Sequence, residues 1–197
     1  MSHIDNPKVA KVGTYIDVPT AAVEDFSKIP TILVAASDAA DKVKQYADYV
    51  CTGSNDDVTI ENAINSLPAA GGRVKLSEGT FTFGSSLDIL KSNVSLEGSG
   101  PATVIKGAIG VSYIIVGDGS TSISNVKISN LRIDGTDQTD GFGIYFNVAS
   151  GYEIKYSVVI NCWIINCYDG GIFSSYFRQG KIINNLIVNG GCGLHND

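Results

Sequence analysis

The chain has 197 residues, room for one domain or slightly more with a continuous core. Charged residues make up only 17% while 22 positions are Gly, a balance that suits many short strands joined by tight turns. The net charge of −6, with no Lys/Arg stripe along the sequence to neutralise phosphates, speaks against nucleic acid as a partner. No apolar run reaches membrane-spanning length, and no basic stretch followed by an apolar segment marks a Sec signal peptide.

Residues 1–28 carry scattered Pro and polar residues with little period, and read as an extended leader or an arm that docks on something larger. Residues 29–72 read as an N-terminal strand with capping helices. The apolar run 31–36 predicts a strand, and Ser37 caps a helix predicted over 38–49. A polar turn follows, in which Asp56 or Asp57 can cap the next helix, predicted over 58–67. There Ile60, Ala63, Ile64 and Leu67 share one face, and the run from Pro68 to Gly72 ends it. Such a helix, just ahead of a stacked β-structure, covers the open first turn, whose unpaired backbone otherwise invites aggregation. Strands are then predicted over 74–76, 80–83, 87–90, 94–96, 103–105, 113–116 and 123–128.

A motif recurs along residues 73–197. It runs Asn93-Val94-Ser95-Leu96-Glu97-Gly98, Asn130-Leu131-Arg132-Ile133-Asp134-Gly135, Cys162-Trp163-Ile164-Ile165-Asn166-Cys167 and Asn185-Leu186-Ile187-Val188-Asn189-Gly190, with a looser precursor at 73–77. Apolar alternation with period two means a short strand with one buried face. Its return every ~20 to 37 residues means stacked coils, each burying its apolar side against the next. By this register Leu131, Trp163 and Leu186 become neighbours in the interior. A leucine-rich repeat also fits the segment from Ile128 to Ile133, but its strand is followed by a helical or 3₁₀ turn. Here a second strand-like piece follows instead: Gly143-Ile144-Tyr145-Phe146, Gly171-Ile172-Phe173-Ser174 and Gly193-Leu194-His195-Asn196. The reading is an all-β solenoid, a parallel β-helix with an N-terminal capping α-helix.

The segments Ala47-Asp48-Tyr49-Val50-Cys51, Asn55-Asp56-Asp57, Gly71-Gly72-Arg73-Val74-Lys75-Leu76 and Glu78-Gly79-Thr80-Phe81 resemble the N-terminal signature of the pectate-lyase superfamily. That group holds polysaccharide-degrading enzymes and phage tailspikes. The resemblance covers about 47–105; later coils share only the stacking pattern. It implies a right-handed coil, three parallel sheets, polysaccharide as the usual ligand, and in the viral members a homotrimer, extracellular or virion-associated. It is a signature of architecture more than of activity.

In such proteins the sugar groove runs along one sheet. With Ile144, Ile172 and Leu194 inward, alternation sends Tyr145, Phe173 and His195 outward as a ladder in adjacent coils. These rings suit sugar faces, and equally suit a subunit interface. Beside them lies the loop 134–141, with Asp134, Asp137 and Asp140, and Asp169 falls at a related place one coil on. Carboxylates about 5–5.5 Å or 6.5–9.5 Å apart serve retaining or inverting glycoside hydrolysis; Asp before Gly is also ordinary turn chemistry. A lyase needs instead a base such as Arg178 or Lys155 and a group that neutralises the uronate, in several lyases Ca²⁺; no cofactor is otherwise expected. The candidate catalytic set is Asp137, Asp140, Asp169 and His195, and the candidate substrate-binding set Tyr145, Phe173 and Arg178. No complete hydrolase or lyase motif is present, and no metal site is expected.

The four cysteines lack metal spacing. Cys162 takes the motif position of Asn130 and Asn185, a small turn residue. Cys167 and Cys192 fall near one another, so a disulfide between them and buried free thiols both stand as readings. The last coil breaks off mid-strand without a cap, so the chain is expected to be the N-terminal part of a longer β-helix or to be stable only as an oligomer. Two functions follow: a polysaccharide-binding or -degrading β-helix of tailspike or pectate-lyase type, or a non-catalytic structural or adhesive module of a larger assembly.

Overall fold

The computed structural model describes residues 29–119, 121–188 and 192–196, and for 116, 118, 119, 192 and 194–196 the backbone alone. The leader 1–28 lies outside the described residues.

Four elements precede the coils: β1 (Thr31–Ala35), α1 (Asp41–Tyr46), β2 (Tyr49–Val50) and α2 (Asp56–Ser66). The first coil is β3 (Gly72–Leu76), β4 (Gly79–Phe83) and β5 (Leu87–Asp88). The second is β6 (Val94–Glu97), β7 (Thr103–Gly107), β8 (Tyr113–Gly119) and β9 (Ile123–Ser124). The third is β10 (Lys127–Ser129), β11 (Arg132–Asp134), β12 (Phe142–Val148) and β13 (Ile154–Lys155). The fourth is β14 (Val158–Ile160), β15 (Trp163–Ile165), β16 (Gly170–Ser174) and β17 (Phe177–Arg178), and β18 (Lys181–Ile183), β19 (Leu186–Val188) and β20 (Cys192–Asn196) form the fifth.

Like strands of successive coils stack. Sheet A runs β18-β14-β10-β6-β3-β1-β2, sheet B β19-β15-β11-β7-β4, sheet C β20-β16-β12-β8-β5, and a short sheet D β17-β13-β9. Every pairing among the described residues is parallel. The result is a solenoid-like stack of parallel sheets. Equivalent positions are separated by 22 residues from Lys75 to Glu97, 32 from Asn93 to Asn125, 31 from Ser122 to Glu153 and 23 from Cys162 to Asn185. The second, third and fourth coils contain sheet D, a short parallel sheet beside the three that the resemblance implies.

Inside, period-two alternation places Val74 and Leu76, Phe81 and Phe83, Val94 and Leu96, Ile128, Ile133, Ile144 and Phe146, Val159, Ile164 and Ile172 in one core, all essentially without solvent contact. Each such side chain contributes about 1.5–3 kcal/mol over its exposed state.

The coils turn sharply because particular residues accept the left-handed conformation. Among the described non-glycine residues with positive φ, most are asparagines: Asn55, Asn93, Asn125, Asn130, Asn161, Asn166 and Asn184. Asn tolerates this region because its short amide hydrogen-bonds locally, whereas other L-residues lose roughly 1–2 kcal/mol there. The turns are themselves stacked: Asn125 Nδ2 donates to Asn93 Oδ1 at 2.9 Å, and Asn161 Nδ2 to Asn130 Oδ1 at 3.3 Å.

This turn ladder corrects the register read from the motif. Arg132 pairs with Trp163, and Trp163 with Leu186. The interior row is therefore Ile133, Ile164 and Ile187, while Leu131, two positions before Ile133, is fully buried and Leu186 is 51% exposed. A slip of one residue moves a side chain to the opposite face. The equivalents of Asn130 are Asn161 and Asn184, each with φ near 55°, and Cys162 falls on the interior side, 1% exposed. Nor do all four motif copies stack together: Val94–Glu97 belongs to sheet A, and the other three to sheet B. The single strand expected over 123–128 is split into β9 and β10 by the left-handed Asn125.

The N-terminal helices are also shifted. The helix expected over 38–49 shrinks to Asp41–Tyr46, because Asp38 is drawn to β4 and Tyr49–Val50 pairs with β1. Its N-cap is Ala40, not Ser37. The helix expected over 58–67 spans Asp56–Ser66 after a left-handed Asn55, so neither Asp56 nor Asp57 is the cap. It packs against β1 to β5, with Ile60, Ala63, Ile64 and Leu67 buried.

The carboxylates of Asp38, Asp56 and Asp57 serve a strand instead. On the edge strand β4, alternate N–H groups point away from β7, and each finds an Asp. Thr80 N–H donates to Asp38 at 2.8 Å, Thr82 N–H to Asp56 at 2.9 Å, and Gly84 N–H to Asp57 at 2.7 Å. Asp56 also accepts from the N–H groups of Thr52 and Gly53, and Ser85 donates its hydroxyl to Asp57. Replacing Asp56, fully buried, by Ala orphans three donors, all at partly buried sites. The expected loss is about 2–4 kcal/mol of unfolding free energy, read as a lower urea midpoint; an unchanged midpoint contradicts this role.

Candidate functional site

Sheet C is the broadest regular face, because β8 and β12 are each seven residues long. In β12, Ile144, Phe146 and Val148 point inward and are buried, while Phe142, Tyr145 and Asn147 are half-buried on the outside. Gly143 keeps the strand close to the interior: a Cβ there meets the Ile164 side chain at 2.8 Å and Cys167 Sγ at 2.9 Å. In register, Tyr145 pairs with Phe173 and Phe173 with His195. The side chain of His195 lies outside the described residues.

The rings form a continuous stack. Tyr113 and Tyr145 lie with centroids 4.0 Å apart and planes at 21°, Tyr145 and Phe173 at 4.8 Å and 22°. Phe142 leans on Phe173 at 5.3 Å and 52°. Rings stacked along the coil axis cover one another's faces, so sheet C presents ring edges and hydroxyls outward rather than open faces for sugar stacking. Sequence alternation identified Tyr145 and Phe173 and missed Tyr113 and Phe142. Both begin their strands, and only the pairing of Phe142 with Tyr113 brings them to this face.

Polar groups converge at the same place. Asn147 Nδ2 donates to the Tyr145 hydroxyl at 2.9 Å. Burial first, then the adjoining Tyr145 hydroxyl and the charges of Asp140 and Asp169, push the Tyr113 phenol up, so it stays protonated at neutral pH. Asp169 is held in place by the Gly141 N–H, which donates to its Oδ2 at 2.7 Å. Asp140 is exposed.

The other candidates are elsewhere. Asp137 forms an ion pair with Lys106 at 2.7 Å, toward the outer face of sheet B. Asp134, on the same side, accepts from Arg132 at 2.6 Å, from the Thr136 N–H at 3.1 Å, from the Thr136 hydroxyl and from Asn166 at 3.1 Å. Arg178 lies on sheet D beside Lys155, and Glu153 bridges the two. It is not on the sheet C face. Gln138 ties the loop down by donating to the carbonyls of Val111, Ser112 and Phe142.

Among the described residues no group of three His, Cys, Asp or Glu is placed to hold a metal ion. The loop carboxylates Asp134 and Asp137 are engaged with Arg132, Thr136, Asn166 and Lys106, and Asp169 with Gly141. Cys51, Cys162 and Cys167 are free and buried; the side chain of Cys192 lies outside the described residues. Burial pushes Cys51 up to about 12, Cys162 to about 11 and Cys167 to about 12, so none is a nucleophile at neutral pH. No helix among the described residues is long and apolar enough to cross a membrane.

No family model and no curated protein matches the chain. Solved structures of similar outline include Geobacillus virus E2 ORF18, at 22% identity and TM-score 0.48, covering 75% of this chain and 31% of that one. The A-module of the Azotobacter vinelandii mannuronan C-5 epimerase AlgE4 aligns at 22% and 0.48, over 68% of this chain and 48% of its own. That of AlgE6 aligns at 23% and 0.47, over 68% and 47%. The chain thus spans a third to a half of the proteins it aligns with.

Asp134 carries a pH signature. Burial alone raises its pKa; the hydrogen bonds from Thr136, Asn166 and Arg132 outweigh this and hold it below the ordinary 3.8. A folded-state pKa below the unfolded one stabilises the fold fully above the unfolded value, and the gain fades as pH falls through the folded one. Asp134→Asn is therefore expected to lower the urea midpoint at pH 7, and the gap to wild type should narrow as the pH drops below 3.8. A gap that does not change with pH assigns the effect to packing instead.

Proposed function

We propose that the chain is part of a carbohydrate-interacting, right-handed parallel β-helix in which α2 covers the first coil and the outer face of sheet C receives the sugar. The observation that carries this reading is the convergence on one sheet of the Tyr113 and Tyr145 hydroxyls, the Asn147 amide and the Asp140 and Asp169 carboxylates around a stacked aromatic row. Sugar hydroxyls both donate and accept, so phenol hydroxyls, an amide and carboxylates in a line match them. Ring edges and the tilted Phe142 supply the apolar contact.

If the face carries catalysis, Asp140 and Asp169 are candidate carboxylates for it, together with Asp88, which lies in the same row of sheet C as Tyr145 and Phe173; carboxylates favour acid–base hydrolysis over elimination. A lyase needs a cation at the reacting uronate, and both Arg178 and Lys155 belong to another sheet. The setting that goes with this reading is extracellular or virion-associated, in a homo-oligomer with a trimer first.

The second reading, a non-catalytic structural or adhesive module, draws on a different observation. The outer faces of the last two coils expose apolar residues: Ile183 at 37%, Leu186 at 51% and Val188 at 39%, with Trp163 beside Leu186. Such a patch suits contact between subunits.

The two separate on incubation with a panel of neutral and acidic polysaccharides, following binding, reducing ends and ultraviolet-absorbing unsaturated ends. The carbohydrate reading expects binding that the double substitution Tyr145→Ala/Phe173→Ala weakens about tenfold, the scale of one or two lost aromatic contacts. Binding to no carbohydrate leaves the structural module.

A further inference from the structure

The winding of the chain assembles a cationic surface that the linear sequence conceals. Lys155 of β13 pairs in register with Arg178 of β17. One turn further along each coil, Lys127 of β10 and Lys181 of β18 flank Val158 in sheet A. All four side chains are on the outside. Lys127 and Lys181 have no ion-pair partner among the described residues. Glu153 is the carboxylate that touches Lys155 and Arg178, with Oε1 3.6 Å from Arg178 Nε. The surface therefore carries an excess of positive charge within a chain of net charge −6.

A second observation concerns the turn that joins sheets D and A. Successive coils place Gly71, Asn93, Asn125, Tyr156 and Gln179 at it, all with positive φ. Gly and Asn occupy that conformation at little cost; a tyrosine does so against its preference. Tyr156 is nevertheless there, at φ 54° and 54% exposed, and Tyr176 enters sheet D at φ 55° and 40% exposed. Neither ring is used by the core. Strain kept without a packing return marks a side chain retained for what it meets outside.

We propose that this turn, in the third to fifth coils, is a second binding face, separate from sheet C, for an anionic polysaccharide. Lys127, Lys155, Arg178 and Lys181 meet its acidic groups, and Tyr156 and Tyr176 pack on its sugar rings. Coils repeat about every 4.8 Å, so the row supplies cations at the spacing of one or so per coil. Double-stranded DNA presents a charge every ~1.7 Å, which four cations on an otherwise acidic chain match poorly. Glu153 tunes the face: its exposed pairs are worth little, so an incoming carboxylate or sulfate displaces it readily.

The test is calorimetric titration of the whole chain with polygalacturonate and with dextran sulfate, at ~20 mM and ~300 mM salt, where screening differs severalfold. Binding is expected at low salt and should weaken at high salt. Lys155→Ala/Arg178→Ala should weaken it about tenfold. Tyr156→Asn should weaken it severalfold while the melting temperature holds or rises, since Asn suits the turn. Glu153→Gln should tighten it, a gain that unfolding cannot mimic. Tyr145→Ala/Phe173→Ala should leave the salt-sensitive component of this binding unchanged, which separates this face from sheet C. Preference between the two polymers assigns carboxylate or sulfate. The proposal is overturned by equal affinity of the Lys155/Arg178 variant and wild type, by equal binding of uncharged dextran, or by tighter binding of single-stranded DNA that the same substitutions abolish.

Discussion

A stacked parallel sheet has a donor problem at its first strand. Every coil takes its N–H partners from the next, but β4 has only one neighbour in sheet B, so the N–H groups of Thr80, Thr82 and Gly84 face away from any strand. Three carboxylates resolve this, one per donor, from Asp38, Asp56 and Asp57. Ionised acceptors are the strong choice, making bonds roughly twice as strong as neutral ones. The same device recurs on sheet A, where Asp48 accepts from the Leu33 N–H at 2.8 Å. A row of satisfied donors is also a poor template for another strand, so the edge that begins the stack is blunted against end-to-end pairing.

This explains why the N-terminal segments were misleading as helix caps. The Asp residues at 56 and 57 stand where a helix begins, and local rules assign them to that helix. Their oxygens are spent on a strand some 26 to 28 residues later in the chain, and no local rule weighs a partner at that distance. The stacking itself was visible because alternation has a fixed period. The exact register was not. Asn130, Cys162 and Asn185 are alike in size and position relative to an apolar triplet, yet the left-handed turn falls on Asn130, Asn161 and Asn184. Two adjacent asparagines at 184 and 185 leave the choice open in the sequence. The structure settles it through the turn: Asn185 instead points its amide inward and accepts from the Cys162 N–H at 2.9 Å.

The candidate site was half legible for a related reason. Gly-led strands announced which residues face out, and so named Tyr145 and Phe173. What alternation does not encode is how neighbouring rings use one another. Tyr113 stacks on Tyr145 at 4.0 Å, and that contact turns the row from a set of open platforms into a fence of edges and hydroxyls. Its chemistry shifts accordingly, from stacking toward hydrogen bonding. Asp137 and Arg178 were grouped with the row by sequence proximity to strands, and coil geometry separates them by carrying each round a corner to a different sheet.

Winding also changes what the net charge means. A chain with six more acids than bases reads as uniformly repulsive to anions only if its charges are scattered. Here they are sorted by sheet: Asp140 and Asp169 collect at sheet C, while Lys155, Arg178, Lys127 and Lys181 collect where sheets D and A meet. Sorting of this kind is inherent to a coil, because residues some 23 to 32 positions apart are stacked ~4.8 Å apart. Charges of opposite sign on different walls give the chain one face suited to anions and another that offers acceptors and hydroxyls. Screening limits each field to about 8–10 Å in physiological salt, so the two walls act as separate surfaces whose signs need not compromise.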